Sequence, residues 1–270
     1  MTILQSIILG IVQGLTELLP ISSSAHLFLI PWIFNWSIPE SFDVALHFGT
    51  LLAIGIFFFK DWVALIKGGY NMVMKKEKTT EGKMFWNIVI ATIPGGIIGF
   101  ILDKYAESIL TKPVIIAIAL IIMGIILYLI DKNAKKETEY EQMSFKQTFI
   151  IGISQALAFI PGVSRSGITM TTGRALGVKR EAVAKYSFML SAPIVLAATV
   201  FKLKDFIEYF LVADVMGIIA FAIGVIMSFA VSIIVIKFLL DYLRKGSFKV
   251  FAIYRIIVGL IAIGITIFIK

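Results

Sequence analysis

The chain has 270 residues, of which 59% are hydrophobic and only 16% charged, with a mean hydropathy of +0.96. A soluble domain carries roughly 25% charged residues and a disordered chain pairs low hydrophobicity with high net charge, so both are excluded and an integral membrane protein remains. The net charge of +8 reads as the basic loops of such a protein rather than a nucleic-acid footprint.

Cysteine is absent and the only histidines are His26 and His47. That removes disulfides, thiolate chemistry and Cys- or His-rich metal sites. Any metal is then a hard, oxygen-liganded cation such as Mg²⁺ or Ca²⁺.

Residues 3–19 form the first apolar stretch, stopped by Pro20, and 24–34 form a second short piece. No Lys or Arg precedes the first stretch, and Gln13 and Glu17 interrupt it, so it is not expected to be a cleavable leader. Spans are predicted over 44–59, 85–102 (kinked at Pro94-Gly95-Gly96) and 113–130. A polar linker, 131–146, divides the chain, its charges reading as a solvated surface. After it come 148–160, a short piece from Ser166, then 186–201, a long run within 211–240, and 250–269.

A shift of 142 positions superposes the halves: Gly10-Ile11 on Gly152-Ile153, Gln13 on Gln155, Leu15 on Leu157, Ser22 on Ser164 and Ser24 on Ser166. Pro20 meets Pro161 after a one-residue slip, and the run ending at Gly124 resembles that ending at Gly259. The chain therefore reads as one membrane domain, 1–270, of two repeats, about 1–140 and about 146–270. Each opens with two apolar pieces too short to span roughly 30 Å of hydrocarbon. Non-helical backbone at depth is tolerated only where protein or a wet cavity satisfies it, so each pair is predicted to be a re-entrant hairpin.

About three crossings follow in each half, and an odd number inverts the second half relative to the first. The expected fold is thus an all-α polytopic membrane protein with two inverted-topology repeats, each a re-entrant hairpin plus about three transmembrane helices. The charges fit this arrangement. With the 60–85 loop inside, Lys60, Lys67, Lys75, Lys76, Lys78 and Lys83 are joined there by Lys132, Lys135, Lys136, Lys146, Arg174, Lys179, Arg180, Lys185, Arg244, Lys245 and Lys249. Only Lys104, Lys112, Lys202, Lys204 and Lys270 fall outside, the bias expected of cytoplasmic loops.

The first break reads Gln13-Gly-Leu-Thr-Glu17-Leu-Leu-Pro20-Ile-Ser22-Ser23-Ser24-Ala-His26. Gln13 and Glu17 share a helix face, and the serines suit the cap of the next helix, whose free N–H groups favour an anion. In the competing reading Glu17 sits at a wet interface and the serines only cap; the rarity of carboxylates within apolar spans weighs against it. The second break reads Pro161-Gly-Val-Ser164-Arg165-Ser166-Gly-Ile-Thr169. A forked guanidinium between two hydroxyls, with glycines admitting backbone N–H groups, suits phosphate. A snorkelling Arg165 is the alternative, disfavoured by its polar surroundings. Inverted halves bring such paired breaks together near mid-membrane.

Glu17 with Gln13 resembles the (Glu/Gln)-x-x-x-Glu motif of the bacterial undecaprenyl-diphosphatases, the membrane phosphatases linked to bacitracin resistance. The run from Pro161 to Thr169 resembles their Pro-Gly-x-Ser-Arg-Ser-x-x-Thr motif, and the likeness covers essentially the whole chain. It implies six spans plus two re-entrant pairs, a divalent cation (Mg²⁺ or Ca²⁺) and a site opening to the outer face of the bacterial plasma membrane. The implied partners are a polyprenyl diphosphate, the bilayer and a second copy in a homodimer, with no nucleic acid. Position 13 is Gln where some members have Glu, which leaves more of the cation to Glu17.

On this reading Glu17 and Gln13 hold the metal, and Arg165 with Ser22, Ser24, Ser164, Ser166 and Thr169 holds the phosphates. Ser23 is the expected nucleophile with His26 as its base, or His26 activates water or attacks directly. His47 reads as a structural donor within a span, and Lys237 and Arg255 as snorkelling cations near span ends. The rival function is a secondary transporter or flippase for a phosphorylated lipid or another anion, since inverted repeats with broken helices are also transporter architecture.

Overall fold

The computed structural model describes residues 1–109, 112–135 and 137–269, without the side chains of 99–100 and 102–109. Lys136, Lys270 and the side chain of Lys104, counted in the charge bias, lie outside this set. The elements of the described residues are all helices, with one isolated bridge between Thr138 and Val178. The first half comprises α1 (Ile3–Thr16), α2 (Ser23–Phe34), α3 (Glu40–Phe57), α4 (Phe59–Met74), α5 (Thr80–Ile109) and α6 (Pro113–Asn133). The second comprises α7 (Phe145–Ser154), α8 (Arg165–Ala175), α9 (Arg180–Phe201), α10 (Leu203–Val212), α11 (Val215–Leu243) and α12 (Lys249–Phe268). Short 3₁₀ turns at Tyr140–Gln142 and Gln155–Phe159 join the halves and extend α7.

Among the described residues, α3, α6, α9, α11 and α12 are long and apolar enough to cross a bilayer. Large apolar side chains face outward on them, among them Ile122, Leu196, Ile234 and Leu260, the surface that lipid rather than water covers. The chain is a polytopic α-helical membrane protein. The expected span over 85–102 falls within α5, which runs unbroken through Pro94; proline is tolerated in such helices because neighbouring groups satisfy the freed carbonyl.

Two expectations are corrected. Residues 60–85 are not simply a loop: α4 lies on α5 with Leu65, Gly68 and Gly69 buried. Its lysines mask that apolar face in an averaged hydropathy. The linker does not carry only solvated charge either. Asp131 is buried, accepting hydrogen bonds from Arg174 Nε (3.0 Å), Arg180 Nε (2.8 Å) and Phe248 N (3.0 Å). Arg174, counted as a loop charge, is likewise buried.

Packing couples the halves. The α1 helix lies along α11, α7 lies along α5, and α6 lies against α12. The last pair approaches closely because glycine stands on both sides. A Cβ on Gly124 would come 2.9 Å from Ala252 O, and one on Gly259 would come 2.8 Å from Ala117 O. The main core gathers Leu18, Phe58, Tyr186, Phe188 and Leu239 behind the two breaks. The helix pairs α1–α2 and α7–α8 pack against α11, α3, α5, α6 and α9, the protein contacts that a break in a membrane helix needs.

Candidate active site

The two breaks share one local structure. Pro20 follows the end of α1, and Ser22 takes a left-handed φ of 75° before its hydroxyl caps α2, accepting from Ala25 N at 3.4 Å. Ser164 repeats this at α8 with φ 74° and accepts from Gly167 N at 3.0 Å. Each cap also meets the serine two positions on: Ser22 and Ser24 hydroxyls lie 3.2 Å apart, Ser164 and Ser166 hydroxyls 3.1 Å. In both, the reversal points a helix N-terminus and its free N–H groups at the space between the hairpins.

Across that space Arg165 Nη2 donates to Glu17 Oε1 at 2.5 Å, and Arg165 Nη1 donates to Ser187 O at 3.0 Å. Glu17 Oε2 accepts from Ser23 Oγ at 2.6 Å and from Gln13 Nε2 at 3.3 Å, and faces His47 Nε2 at 3.3 Å. The carboxylate is only 7% exposed, so its charge is matched by Arg165 rather than by water. Ser166 Oγ donates to Leu19 O at 2.9 Å, tying the second break to the first.

These groups line a cavity of about 290 Å³ bounded by Glu17, Ser23, Ser24, His47, Gln155, Ser164, Arg165 and Ser166, with Val44, Phe159, Ile194 and Val195 as apolar wall. A second cavity of about 450 Å³ meets it at Ser24 and His47 and is lined by Leu27, Phe28, Trp32 and Trp36.

Three residues expected at the site stand elsewhere, and a fourth, Gln13, reaches it only through Glu17. Ser22 and Gln13 are buried behind it. Thr169 donates to Arg165 O at 2.8 Å and meets Ser187 Oγ at 2.8 Å, so it joins α8 to α9 instead of facing the cavity. His26 is not hydrogen-bonded to Ser23. Its Nδ1 donates to Ser22 O at 2.7 Å, which leaves Nε2 to accept from Tyr254 O–H at 2.9 Å, the two rings stacked. Both ring nitrogens are therefore committed.

Two residues given no site role by the sequence, His47 and Gln155, are drawn in. His47 is part of the cavity; Nδ1 meets Asp43 O at 2.7 Å and Nε2 meets the Glu17 carboxylate. Because both partners are oxygens that accept, a ring carrying two N–H groups suits this position. Gln155 lines the cavity while its Nε2 donates to Ala91 O at 3.3 Å. Arg255 does not snorkel; it is wholly buried, because its face of α12 turns toward the hairpins and not toward lipid.

The donor chemistry fits a hard cation in part. Gln13 Oε1 and Gln155 Oε1 are both buried without a partner; Gln13 bonds Glu17 through its Nε2, and Gln155 lines the same cavity as Glu17. Among the described residues no group of three His, Asp or Glu side chains is placed to hold a metal ion. An ion of this type takes six to eight oxygens, so a diphosphate would have to bring most of them.

The family described as bacitracin resistance protein BacA matches residues 6–261. The chain is 48% identical to the undecaprenyl-diphosphatase of Pelotomaculum thermopropionicum, with 97% of this chain and 96% of that protein covered. It is 44% identical to the one from Moorella thermoacetica over 98% of both. It is 47% identical to the one from Caldicellulosiruptor bescii over 94% of both.

Proposed function

Because the chain belongs to the bacitracin resistance protein BacA family, we infer that it is a membrane phosphatase. It hydrolyses undecaprenyl diphosphate to undecaprenyl phosphate and inorganic phosphate, returning the lipid carrier to cell-wall synthesis. The observation that carries this is the meeting of Ser23, Glu17 and Arg165 within 2.6 Å contacts at the base of a partly apolar cavity.

Diphosphate hydrolysis is mainly a matter of charge neutralisation and an in-line nucleophile. Arg165 and the N–H groups at the starts of α2 and α8 receive the terminal phosphoryl oxygens, with Ser24 as a further donor, while the Ser166 hydroxyl stays on Leu19 O. As Arg165 turns its Nη2 from Glu17 to the phosphate, the carboxylate becomes free to accept the Ser23 proton. Ser23 Oγ then bonds to the terminal phosphorus while the bridging P–O bond breaks, releasing undecaprenyl phosphate. Water attacks the phosphoserine in the second step, Ser23 recovers its proton from Glu17, and inorganic phosphate leaves. Glu17 thereby takes the base role expected of His26, whose nitrogens are engaged with Ser22 and Tyr254. A Mg²⁺ or Ca²⁺ ion would be held by Glu17, Gln13 and Gln155 and would neutralise charge on the diphosphate.

We place the site toward the outer face of the bacterial plasma membrane, with the halves inverted and the prenyl chain lying along the groove of Leu27, Phe28, Trp32 and Trp36. The 142-residue correspondence, the basic 60–85 segment and the paired tips support that reading. The deciding experiment is phosphate release from undecaprenyl diphosphate by the detergent-purified protein, where no compartments exist. Wild type is expected to turn over, and Glu17→Gln, Arg165→Ala and Ser23→Ala to lose about 10²–10⁴-fold. Near-normal turnover of Ser23→Ala would remove the serine route. A wild type that releases no phosphate yet moves the lipid across sealed vesicles would establish the carrier instead.

A further inference from the structure

Arg255 sits in α12, away from the cavity, and it is wholly buried. Its guanidinium meets only backbone oxygens. Nη1 donates to Pro20 O at 3.0 Å, Nη2 to Gly162 O at 2.7 Å and to Val163 O at 3.0 Å, and Nε to Leu120 O at 3.3 Å. Pro20 is at the break of the first hairpin; Gly162 and Val163 are at the break of the second. A single planar group thus takes carbonyls from both breaks and from α6, and among the described residues it has no carboxylate partner. The fit is close: a Cβ on Gly167, one turn into α8, would come 2.6 Å from Nη1. The preceding residue of α12, Tyr254, bonds His26 of the first hairpin.

Breaking a helix inside a membrane leaves carbonyls that must find donors within the protein. One arginine could satisfy them in one hairpin alone. Here it satisfies them in both, so the separation of the two tips is fixed by the dimensions of a guanidinium. That separation sets where Arg165 lies relative to Glu17 and Ser23, and misplacing reacting groups by about 1 Å can cost about 10²-fold in rate.

We propose that Arg255 is a positioning residue for the reaction, a clamp that holds the Glu17–Ser23 tip and the Arg165 tip in register. A lysine keeps the charge but is a point donor and cannot fork between the two hairpins. The inference rests on the phosphatase reading for its kinetic half only; the distance between the hairpins reports on the clamp by itself.

The test uses this cysteine-free chain as a labelling background. Cysteines placed at Leu15 and Leu157, exposed positions on the first and second hairpins, carry spin labels in the full-length detergent-purified protein. The wild-type background is expected to give one narrow distance. Arg255→Lys is expected to broaden it and to lower kcat by about 10- to 100-fold with KM little changed. In Arg255→Ala, added guanidinium ion should narrow the distribution and restore part of kcat, which a globally misfolded protein would not do. Wild-type kcat in Arg255→Lys, or an unchanged distance in both variants, would overturn the clamp. A wild type without phosphatase activity whose label distance still widens in Arg255→Lys would overturn the function and leave the clamp standing.

Discussion

Ser22 and Ser164, 142 positions apart, hold the same left-handed backbone, with φ of 75° and 74°, and each caps the second helix of its hairpin with its own hydroxyl. Side chains rarely adopt this conformation, so its recurrence at corresponding positions marks one structural device used twice. The device turns the chain sharply enough for a helix N-terminus to face the reaction cavity.

It makes the two serines behave unusually on substitution. Ser164→Ala or Ser22→Ala removes the cap and keeps the unfavourable φ, costing about 1 kcal/mol or more. Ser164→Gly or Ser22→Gly loses the same hydroxyl but relieves the backbone, so it should be the less destabilising change at both positions. Thermal unfolding in detergent reads the order; alanine variants more stable than glycine variants would contradict the argument.

At His47 the relevant contact is the 3.3 Å approach of Nε2 to Glu17. His47→Leu leaves Glu17 Oε2 facing an apolar side chain, and a fall in kcat of about 10- to 100-fold is expected. His47→Gln retains a donor and should keep more of the rate. Steady-state phosphate release decides this, and a leucine variant with half the wild-type rate would return His47 to a packing role.

The proposed cation draws on the two unpartnered glutamine oxygens. Chelation should abolish turnover and either Mg²⁺ or Ca²⁺ should restore it. Gln155→Leu should raise the cation concentration for half-maximal rate by about tenfold, as should Gln13→Leu. Full activity in excess chelator would show that Arg165 and the helix termini neutralise the diphosphate unaided.

Asp131 anchors the far side of the molecule, holding buried Arg174 together with Arg180 and the start of α12. Asp131→Asn leaves Arg174 without its buried counter-charge, a loss of about 3–5 kcal/mol. The variant should unfold at markedly lower temperature, while KM of whatever fraction remains folded stays near wild type. An unchanged unfolding temperature would mean that Arg174 finds another partner.

The parts of the site legible in the sequence were those whose signal is local. Pro20 and Pro161 stand in the turns just past the ends of α1 and the 3₁₀ segment, the serines after them cap the next helices, and Glu17 and Arg165 are conspicuous in apolar surroundings. What escaped depends on partners far along the chain. Arg255 near the start of an apolar run looks like a snorkelling residue until residues 20, 120, 162 and 163 are seen to converge on it. Residue type likewise suggested that His26 serves Ser23, whereas Tyr254, 228 positions away, occupies its second nitrogen. The α4 helix was obscured for a different reason, because its lysines and its buried face average out within one window.

The two tips share a backbone but not a chemistry. Ser23 stands where the second tip has Arg165, and Phe159 stands where the first has Glu17. A symmetric pairing of two first halves would bring carboxylate against carboxylate, and of two second halves guanidinium against guanidinium. Neither could bind a diphosphate and deprotonate a serine at once. A single polypeptide carrying both tips guarantees that every molecule assembles one acidic tip with one basic tip.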